Sequence, residues 1–137
     1  MANNLHRIDK SKYYFDEKSA RRACDFIETF CKHTKGELAG QPFVLEPWQT
    51  EIIQAIFGWK SKKTNLRKFR QCFIFIPRKN GKTTMMVGIA LYMLFSDGEK
   101  GAEIVSAAAD KEQARLSFSI AKNMVLQEPN LIKRAGT

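Results

Sequence analysis

The sequence predicts an α/β fold in which helices flank a parallel sheet. Two short apolar runs, residues 72–76 and 103–108, each precede a stretch in which apolar residues recur at helical spacing. A strand that is apolar at nearly every position is typical of a parallel sheet covered on both faces. Strand, helix, strand and helix in succession predict a right-handed crossover. A helical segment over residues 1–45 is predicted to precede this unit, which would occupy residues 46–137.

The composition predicts a soluble protein of the cytoplasm. The chain has 137 residues, 44% of them hydrophobic, which suits one domain with a core. It has neither the run of about 18 apolar residues that a membrane span needs nor an apolar signal core near its N-terminus. Lys and Arg number 23 against 14 acidic residues, giving a net charge of +9. This surplus favours polyanions such as DNA or RNA as partners, although an ordinary basic surface gives the same count.

The cysteines and histidines do not predict a metal site. Three cysteines form no CxxC pair, and the two histidines have no ligand spacing. Cys24 and Cys31 lie seven residues apart on a helical pattern, so we expect reduced thiols on one buried face.

The first helix is predicted from Asp16 to about Lys35. Apolar residues recur there at helical spacing, with Asp16 or Ser19 as the N-terminal cap and Gly36 as the stop. Residues 36–47 contain two glycines and two prolines and predict a loop with a short extended piece.

The second helix is predicted from Pro47 to about Trp59, because proline suits the first turn of a helix. Its first turn carries Gln49, and its apolar stripe consists of Trp48, Ile52, Ile53, Ile56 and Phe57. Residues 60–70 contain six Lys or Arg residues with little periodicity, which predicts a basic, solvated loop and a candidate DNA contact.

Two further helices are predicted after the apolar runs. The third should extend from Lys82 to about Phe95, with inward-facing residues Met85, Met86, Ile89, Ala90, Met93 and Leu94. The fourth should follow Asp110 and continue to about Val125.

The junction between the first apolar run and the third helix has the parts of a phosphate-binding loop. Its sequence is Pro77-Arg78-Lys79-Asn80-Gly81-Lys82-Thr83-Thr84. A tight turn that leads into a helix N-terminus supplies backbone N–H donors and a favourable dipole. Gly81 permits close backbone approach, Lys82 supplies charge, and the Thr83 hydroxyl can coordinate Mg²⁺. The sequence therefore predicts a nucleoside triphosphate site.

The match to the usual pattern GxxxxGK[ST] is incomplete, because the first glycine would fall at Ile76. A surface turn in which Gly81 merely ends a strand is the alternative. That alternative does not explain why three cations and an asparagine cluster at a strand-to-helix junction.

A proline and a basic residue ahead of Gly-Lys-Thr resemble the variant phosphate loop of the large terminase subunits of tailed bacteriophages, in particular the HK97-like group. The likeness extends to short segments on both sides of the loop: residues 26–28, 33–37, 40–43, 45–49, 97–99, 107–110 and 113–114. Together these motifs are specific, and they cover most of the chain.

The resemblance implies the N-terminal part of an ATPase domain, with a partial P-loop NTPase sheet of the RecA/ASCE-like kind. It implies ATP and Mg²⁺ as cofactors in a motor that threads double-stranded DNA into a capsid in the bacterial host cytoplasm. The implied partners are double-stranded DNA, the portal protein and the small terminase subunit, with a homo-oligomer in the full-length protein.

The resemblance also implies residue roles. Lys82 would contact the β and γ phosphates, Thr83 would hold Mg²⁺, and Arg78 would stabilise charge on the transferring phosphoryl group. Lys79, Asn80, Gly81 and Thr84 would complete the cofactor-binding loop, with Lys82 and Arg78 as the catalytic residues.

Two further side chains have alternative interpretations. Gln49 resembles the glutamine that reads adenine in this family, the alternative being a solvated helix residue. Arg115 could act in a neighbouring active site, but an ordinary exposed helix arginine is favoured.

The resemblance fails towards the C-terminus. We find no Walker B strand with its following glutamate, and we interpret residues 104–110 as the second strand instead. We therefore expect a fragment, truncated before Walker B and without a nuclease domain, that binds ATP and hydrolyses little of it. The unpaired sheet edges also predict low solubility or self-association.

Three rival interpretations stay open at this point. One is a helicase-like ATPase fragment, which also carries a glutamine ahead of its phosphate loop. Another is a non-enzymatic basic module that grips nucleic-acid phosphate with the same loop. The third is an inactive prophage remnant.

Overall fold

The computed structural model of the chain describes residues 7–79 and 81–136. In these ranges the helices and strands are β1 (Tyr13–Phe15), α1 (Glu17–Phe30), α2 (Pro47–Gly58), β2 (Trp59–Ser61), α3 (Lys82–Phe95), α4 (Lys111–Gln127) and α5 (Pro129–Ala135). The predicted starts of α2, α3 and α4 agree with these bounds. No helix within the described residues is both long and apolar enough to cross a membrane.

Helix α1 begins where its sequence predicts. The Asp16 side chain caps it by accepting a hydrogen bond from the backbone N–H of Ser19 at 3.1 Å. The predicted end near Lys35 is wrong, because Cys31 leaves the helix with an extended backbone. The carbonyl of Cys31 then accepts a hydrogen bond from the N–H of Phe43 at 2.9 Å, so the following residues form a loop instead of another turn.

The buried face of α1 carries both predicted thiols. Cys24 and Cys31 are buried, as expected from their spacing. Burial raises the pKa of Cys24 to about 11 and that of Cys31 to about 12. Both thiols are therefore neutral, apolar parts of the core.

Helix α2 packs against α1 and contributes buried residues to the core. Ile53 and Phe57 are buried on it, and the ring of Phe57 meets the ring of Tyr92 on α3 edge to face, with centroids 4.8 Å apart. The chain leaves α2 directly into β2, since Trp59 is both the end of the helix and the first residue of the strand.

The strands β1 and β2 form an antiparallel pair that the sequence did not predict. Tyr13 pairs with Ser61, and Phe15 pairs with Trp59, whose ring lies 5.3 Å from that of Phe15. Residues 60–70 are therefore only partly a solvated loop, because their first two residues belong to a sheet.

Helix α3 contacts both α1 and α4 and matches its predicted bounds. Its inward face is only partly the predicted one: Met85 and Ile89 are buried, whereas Met86 and Leu94 are 49% and 42% exposed. Instead Val87, Gly88, Leu91 and Tyr92 are buried against the other helices. The helix is apolar nearly all round, so periodicity alone does not identify its buried side.

The two predicted strands are not strands here. Residues 71–77 and 102–108 contain neither helix nor strand, and the sheet that the described residues form is antiparallel and two-stranded. The side chains of Phe73, Phe75 and Val105 are 93%, 96% and 79% exposed. The prediction of a mixed α/β chain holds, and the parallel sheet is not formed within the described residues.

Helix α4 starts at its predicted cap. The side chain of Asp110 accepts a hydrogen bond from the N–H of Gln113 at 2.9 Å. A short helix, α5, follows without having been predicted. Glu128 caps α5 and pairs with Lys32 at 3.1 Å, which fixes the end of α4 beside the end of α1.

Candidate functional site

The entry to α3 has the backbone geometry of an anion-binding turn. Gly81 immediately precedes the helix and lies in the left-handed region, with φ of +69°, and Lys79 is left-handed as well, with φ of +66°. A left-handed lysine is uncommon and marks a turn that the surrounding chain enforces. Asn80, predicted to belong to this loop, lies outside the described residues.

The N-terminal end of α3 is open to a ligand. No side chain in the described part of the chain caps it, and its first turn contains no acidic residue. The first N–H groups of a helix have no partner within the helix, and the helix dipole makes this end electropositive. An anion at this position would satisfy N–H donors that no side chain of residues 7–79 or 81–136 caps.

Two of the predicted cations shortly precede that end, and the third is the first residue of the helix. Arg78 and Lys79 are exposed, and Lys82 is half-buried at the first position of α3. Over residues 7–79 and 81–136, none of the three pairs with a carboxylate. Thr83 is exposed and Thr84 half-buried on the first turn. The structure thus brings the predicted phosphate-binding and Mg²⁺-binding side chains to one place.

Gln49 lies beside the same turn, although it is more than thirty residues away in sequence. A Cβ atom added to Gly81 would lie 3.4 Å from the Nε2 atom of Gln49. The side chain of Gln49 is 2% exposed, so its interpretation as a solvated helix residue is wrong. Its Oε1 atom accepts a hydrogen bond from the backbone N–H of Glu46 at 2.9 Å.

Glu46 is a part of this site that sequence reasoning missed. Glu46 immediately precedes α2, and its backbone N–H donates a hydrogen bond to Oε1 of Gln49. Its Oε2 atom accepts a hydrogen bond from Nε1 of Trp48 at 2.6 Å. In a capping box, a glutamine three residues after the cap residue accepts a hydrogen bond from the backbone N–H of that residue. The spacing of Glu46 and Gln49 in the sequence could therefore have predicted this contact.

Three of the six basic residues in the segment 60–70 make ion pairs, hydrogen bonds or ring contacts within the chain. Lys60 donates to Asp16 and to Ser19, each at 2.7 Å. Arg67 pairs with Asp97 at 2.7 Å. Lys68 lies over the ring of Tyr13, with its Nζ atom 4.8 Å from the centroid. The remaining cations of the segment, all exposed, are Lys62, Lys63 and Arg70.

Arg115 is exposed on α4, as the favoured interpretation expected. A surface depression of about 860 Å³ lies along α1 and extends to Arg134. Among the described residues of the predicted loop, 77–79 and 81–84, none lines that depression.

Comparison with known proteins decides the family. Residues 47–136 match the family described as "Terminase large subunit, ATPase domain", which is more than half of the chain. The chain belongs to the terminase large subunit family.

Two relatives support the assignment of this terminase chain. The large terminase subunit of Enterobacteria phage HK97 is 36% identical over 111 residues, which are 80% of this chain and 21% of that protein. The crystal structure of the HK97 bacteriophage large terminase is similar with a TM-score of 0.68 and 33% identity, over 83% of this chain and 22% of that one. The chain therefore spans about a fifth of the length of these relatives.

Proposed function

We propose that this terminase chain binds the triphosphate of ATP, together with Mg²⁺, at the loop formed by residues 77–84. In this proposal it is part of the motor that packages double-stranded DNA into a phage capsid. The proposal rests mainly on the entry to α3. Within the described residues, this entry combines a left-handed turn at Gly81, a helix end without a side-chain cap and three cations without acidic partners. A triphosphate needs these features in one place.

The donor set fits ATP and Mg²⁺. The Lys82 ammonium at the first helical position would lie against the β and γ phosphates, and the Thr83 hydroxyl would enter the coordination shell of Mg²⁺. Arg78 would stabilise charge near the γ-phosphate. Lys79, Asn80 and Thr84 would complete the contacts of the loop. When bound, Mg²⁺ would neutralise charge between the outer phosphates.

We propose further that residues 72–76 and 103–108 form neighbouring strands of a parallel sheet when further strands pair with them, as the greater length of the relatives would allow. Phe73 and Phe75 are almost fully exposed here, although a strand of this composition is normally buried on both faces. Relatives about four times as long have the chain length for further strands that would cover these side chains.

The partners follow from the family and are part of the same proposal. They are double-stranded DNA, the portal protein and the small terminase subunit, in the host cytoplasm and in a homo-oligomer. The net charge of +9 suits a DNA partner, and the exposed cations Lys62, Lys63 and Arg70 are our candidate contacts. We propose that the ATPase part begins at residue 46, which is supported by a family match that starts at Pro47.

The decisive experiment measures equilibrium binding of a fluorescent, slowly hydrolysed ATP analogue in the presence of Mg²⁺. We expect saturable binding that Lys82→Ala weakens at least about tenfold, because a charge-assisted contact to phosphate is lost. The matched control is Lys122→Ala, which removes the same charge from an exposed position on α4. The control variant should bind like the wild type.

Two outcomes would contradict the proposal. The first is equal weakening by Lys82→Ala and Lys122→Ala, which would indicate attraction by net charge alone. The second is protection of the loop from proteolysis by DNA but not by Mg-ATP, which would favour a basic module that grips nucleic-acid phosphate. We expect Mg-ATP to protect the loop and DNA alone not to do so.

A further inference from the structure

Gln49 is buried against the phosphate loop instead of being open to a base. Its side chain is 2% exposed, although it stands in the first turn of α2, where its neighbours Glu46 and Pro47 are exposed. A buried carboxamide needs partners for its polar atoms, since an unpaired one costs about 1–3 kcal/mol. The neighbours of its two polar atoms therefore indicate what the Gln49 side chain does in the fold.

The two polar ends of the carboxamide have different neighbours. Oε1 accepts a hydrogen bond from the N–H of Glu46 at 2.9 Å, which ties the side chain to the start of α2. Nε2 lies 3.4 Å from the position that a Cβ on Gly81 would take, which is van der Waals contact distance. Beyond the adjacent residues, it is the one described atom within 4 Å of that position. The side chain thus spans from the cap of α2 to the turn before α3.

This arrangement does not suit recognition of a base edge. An amide that reads adenine must offer both its acceptor and its donor to the base. Here the acceptor already takes one hydrogen bond, from the backbone N–H of Glu46, and almost no surface of Gln49 is accessible to a base. Reading a base would require the side chain to leave its buried position.

We propose that Gln49 is a positioning residue that holds the left-handed turn at Gly81 in place. The turn directs the first N–H groups of α3 towards the phosphates, so a fixed turn is already organised for binding. This inference rests on the proposed nucleotide site, and it changes the role of Gln49 from contact with the base to support of the loop.

The two roles predict different results when the carboxamide is removed. A residue that reads adenine affects ATP but not GTP or inorganic tripolyphosphate, and it has no effect on the free protein. A residue that positions the loop affects all three ligands by the same factor. It also alters the loop before any ligand is added.

The test compares Gln49→Met, which has similar length but no amide, with the wild type. The matched control is Gln54→Met on the same helix, and Gln49→Asn provides a milder second variant. Trypsin cleavage after Lys79 and Lys82 is followed in the free protein by mass spectrometry, with sites in residues 60–70 as an internal reference. Affinities for Mg-ATP, Mg-GTP and Mg-tripolyphosphate are measured on the same samples.

We expect Gln49→Met to speed cleavage after Lys79 and Lys82 several-fold while cleavage in residues 60–70 is unchanged. All three affinities should fall by the same factor of about ten, equivalent to about 1.4 kcal/mol, and the ratio of ATP to GTP affinity should stay within about twofold. Gln49→Asn should give the same pattern with smaller changes.

Unchanged cleavage of the loop in both Gln49 variants would overturn the inference, whatever the affinities do. Loss of the preference for ATP with tripolyphosphate unaffected would assign Gln49 to the base instead. If the folded wild type binds none of the three ligands, the proposed function fails, and the cleavage rates still decide whether Gln49 supports the turn.

Discussion

The carboxylate of Asp16 joins the start of α1 to β2, and its removal should cost stability in two separable parts. Asp16 caps α1 through the N–H of Ser19 at 3.1 Å and the hydroxyl of Ser19 at 2.6 Å. It also accepts a hydrogen bond from the ammonium of Lys60 at 2.7 Å. The side chains of Asp16 and Lys60 are 26% and 19% exposed, so solvent screens the pair only partly.

The magnitudes follow from these contacts. Loss of a helix cap costs about 1 kcal/mol, and loss of a hydrogen bond to a charged group costs about 1.5–3 kcal/mol. Asp16→Ala removes both and should lower the free energy of unfolding by about 3 kcal/mol. Asp16→Asn keeps the cap and a neutral acceptor for Lys60, so it should cost about 1 kcal/mol.

The same contacts give a pH dependence. The hydrogen bonds from Lys60 and Ser19 hold the pKa of Asp16 well below its ordinary value. Because the folded pKa is depressed, this stabilisation is complete above the unfolded pKa near 4 and is lost as the pH falls through the folded value. The stability difference between the wild type and Asp16→Asn should therefore be constant above about pH 5 and should shrink below about pH 4.

Urea denaturation followed by tryptophan fluorescence measures these values. The matched control is Asp110→Asn, because Asp110 caps α4 in the same way but has no cation partner in the described part of the chain. We expect that control to change stability by less than about 0.5 kcal/mol. Equal losses for Asp16→Asn and Asp16→Ala, or a difference that persists unchanged to pH 2.5, would refute the reasoning.

Three further predictions concern the core and the exposed apolar run. Gly88→Ala should lower the free energy of unfolding by about 1 kcal/mol, because the new methyl would lie 3.2 Å from buried Ile27. This crowding outweighs the better helix propensity of alanine. A gain in stability in urea denaturation would contradict the prediction. At pH 8 a thiol reagent should modify exposed Cys72 quickly and the two buried thiols only in denaturant, so three fast thiols would be the contrary result. Phe73→Ser combined with Phe75→Ser should change the free energy of unfolding by less than about 0.5 kcal/mol, because both side chains are exposed. The double variant should also self-associate less than the wild type in light scattering. A wild type that is already a monodisperse monomer would count against this prediction.

Helix starts were predictable because their signals are local. Pro47 at the start of α2, the glycine before Lys82 and the cap Asp110 act on the adjacent backbone, and the structure places a helix start at each. The end of α1 was not predictable in this way. It is set by a hydrogen bond between Cys31 and Phe43, twelve residues apart, for which the sequence gives no local signal.

Features that depend on long-range packing were predicted less well. The apolar run 72–76 has the composition of a buried strand, but a strand exists only where a partner strand pairs with it, and no described residue does so. Helix α3 is apolar on all sides, so its exposed Met86 and buried Gly88 were decided by the neighbouring helices. At the site, the sequence predicted the loop and named Gln49, whereas the burial of Gln49 against Gly81 depends on how α2 packs on α3.

The central claim is that a triphosphate binds at the turn before α3, and amide chemical shifts measured by NMR locate a ligand directly. Titration of the ¹⁵N-labelled protein with Mg-ATP should shift the backbone signals of Gly81, Lys82 and Thr83 first and most. Signals from β1 and from residues 60–70 should change little. Shifts confined to residues 60–70, or none at all in a folded sample, would contradict the account.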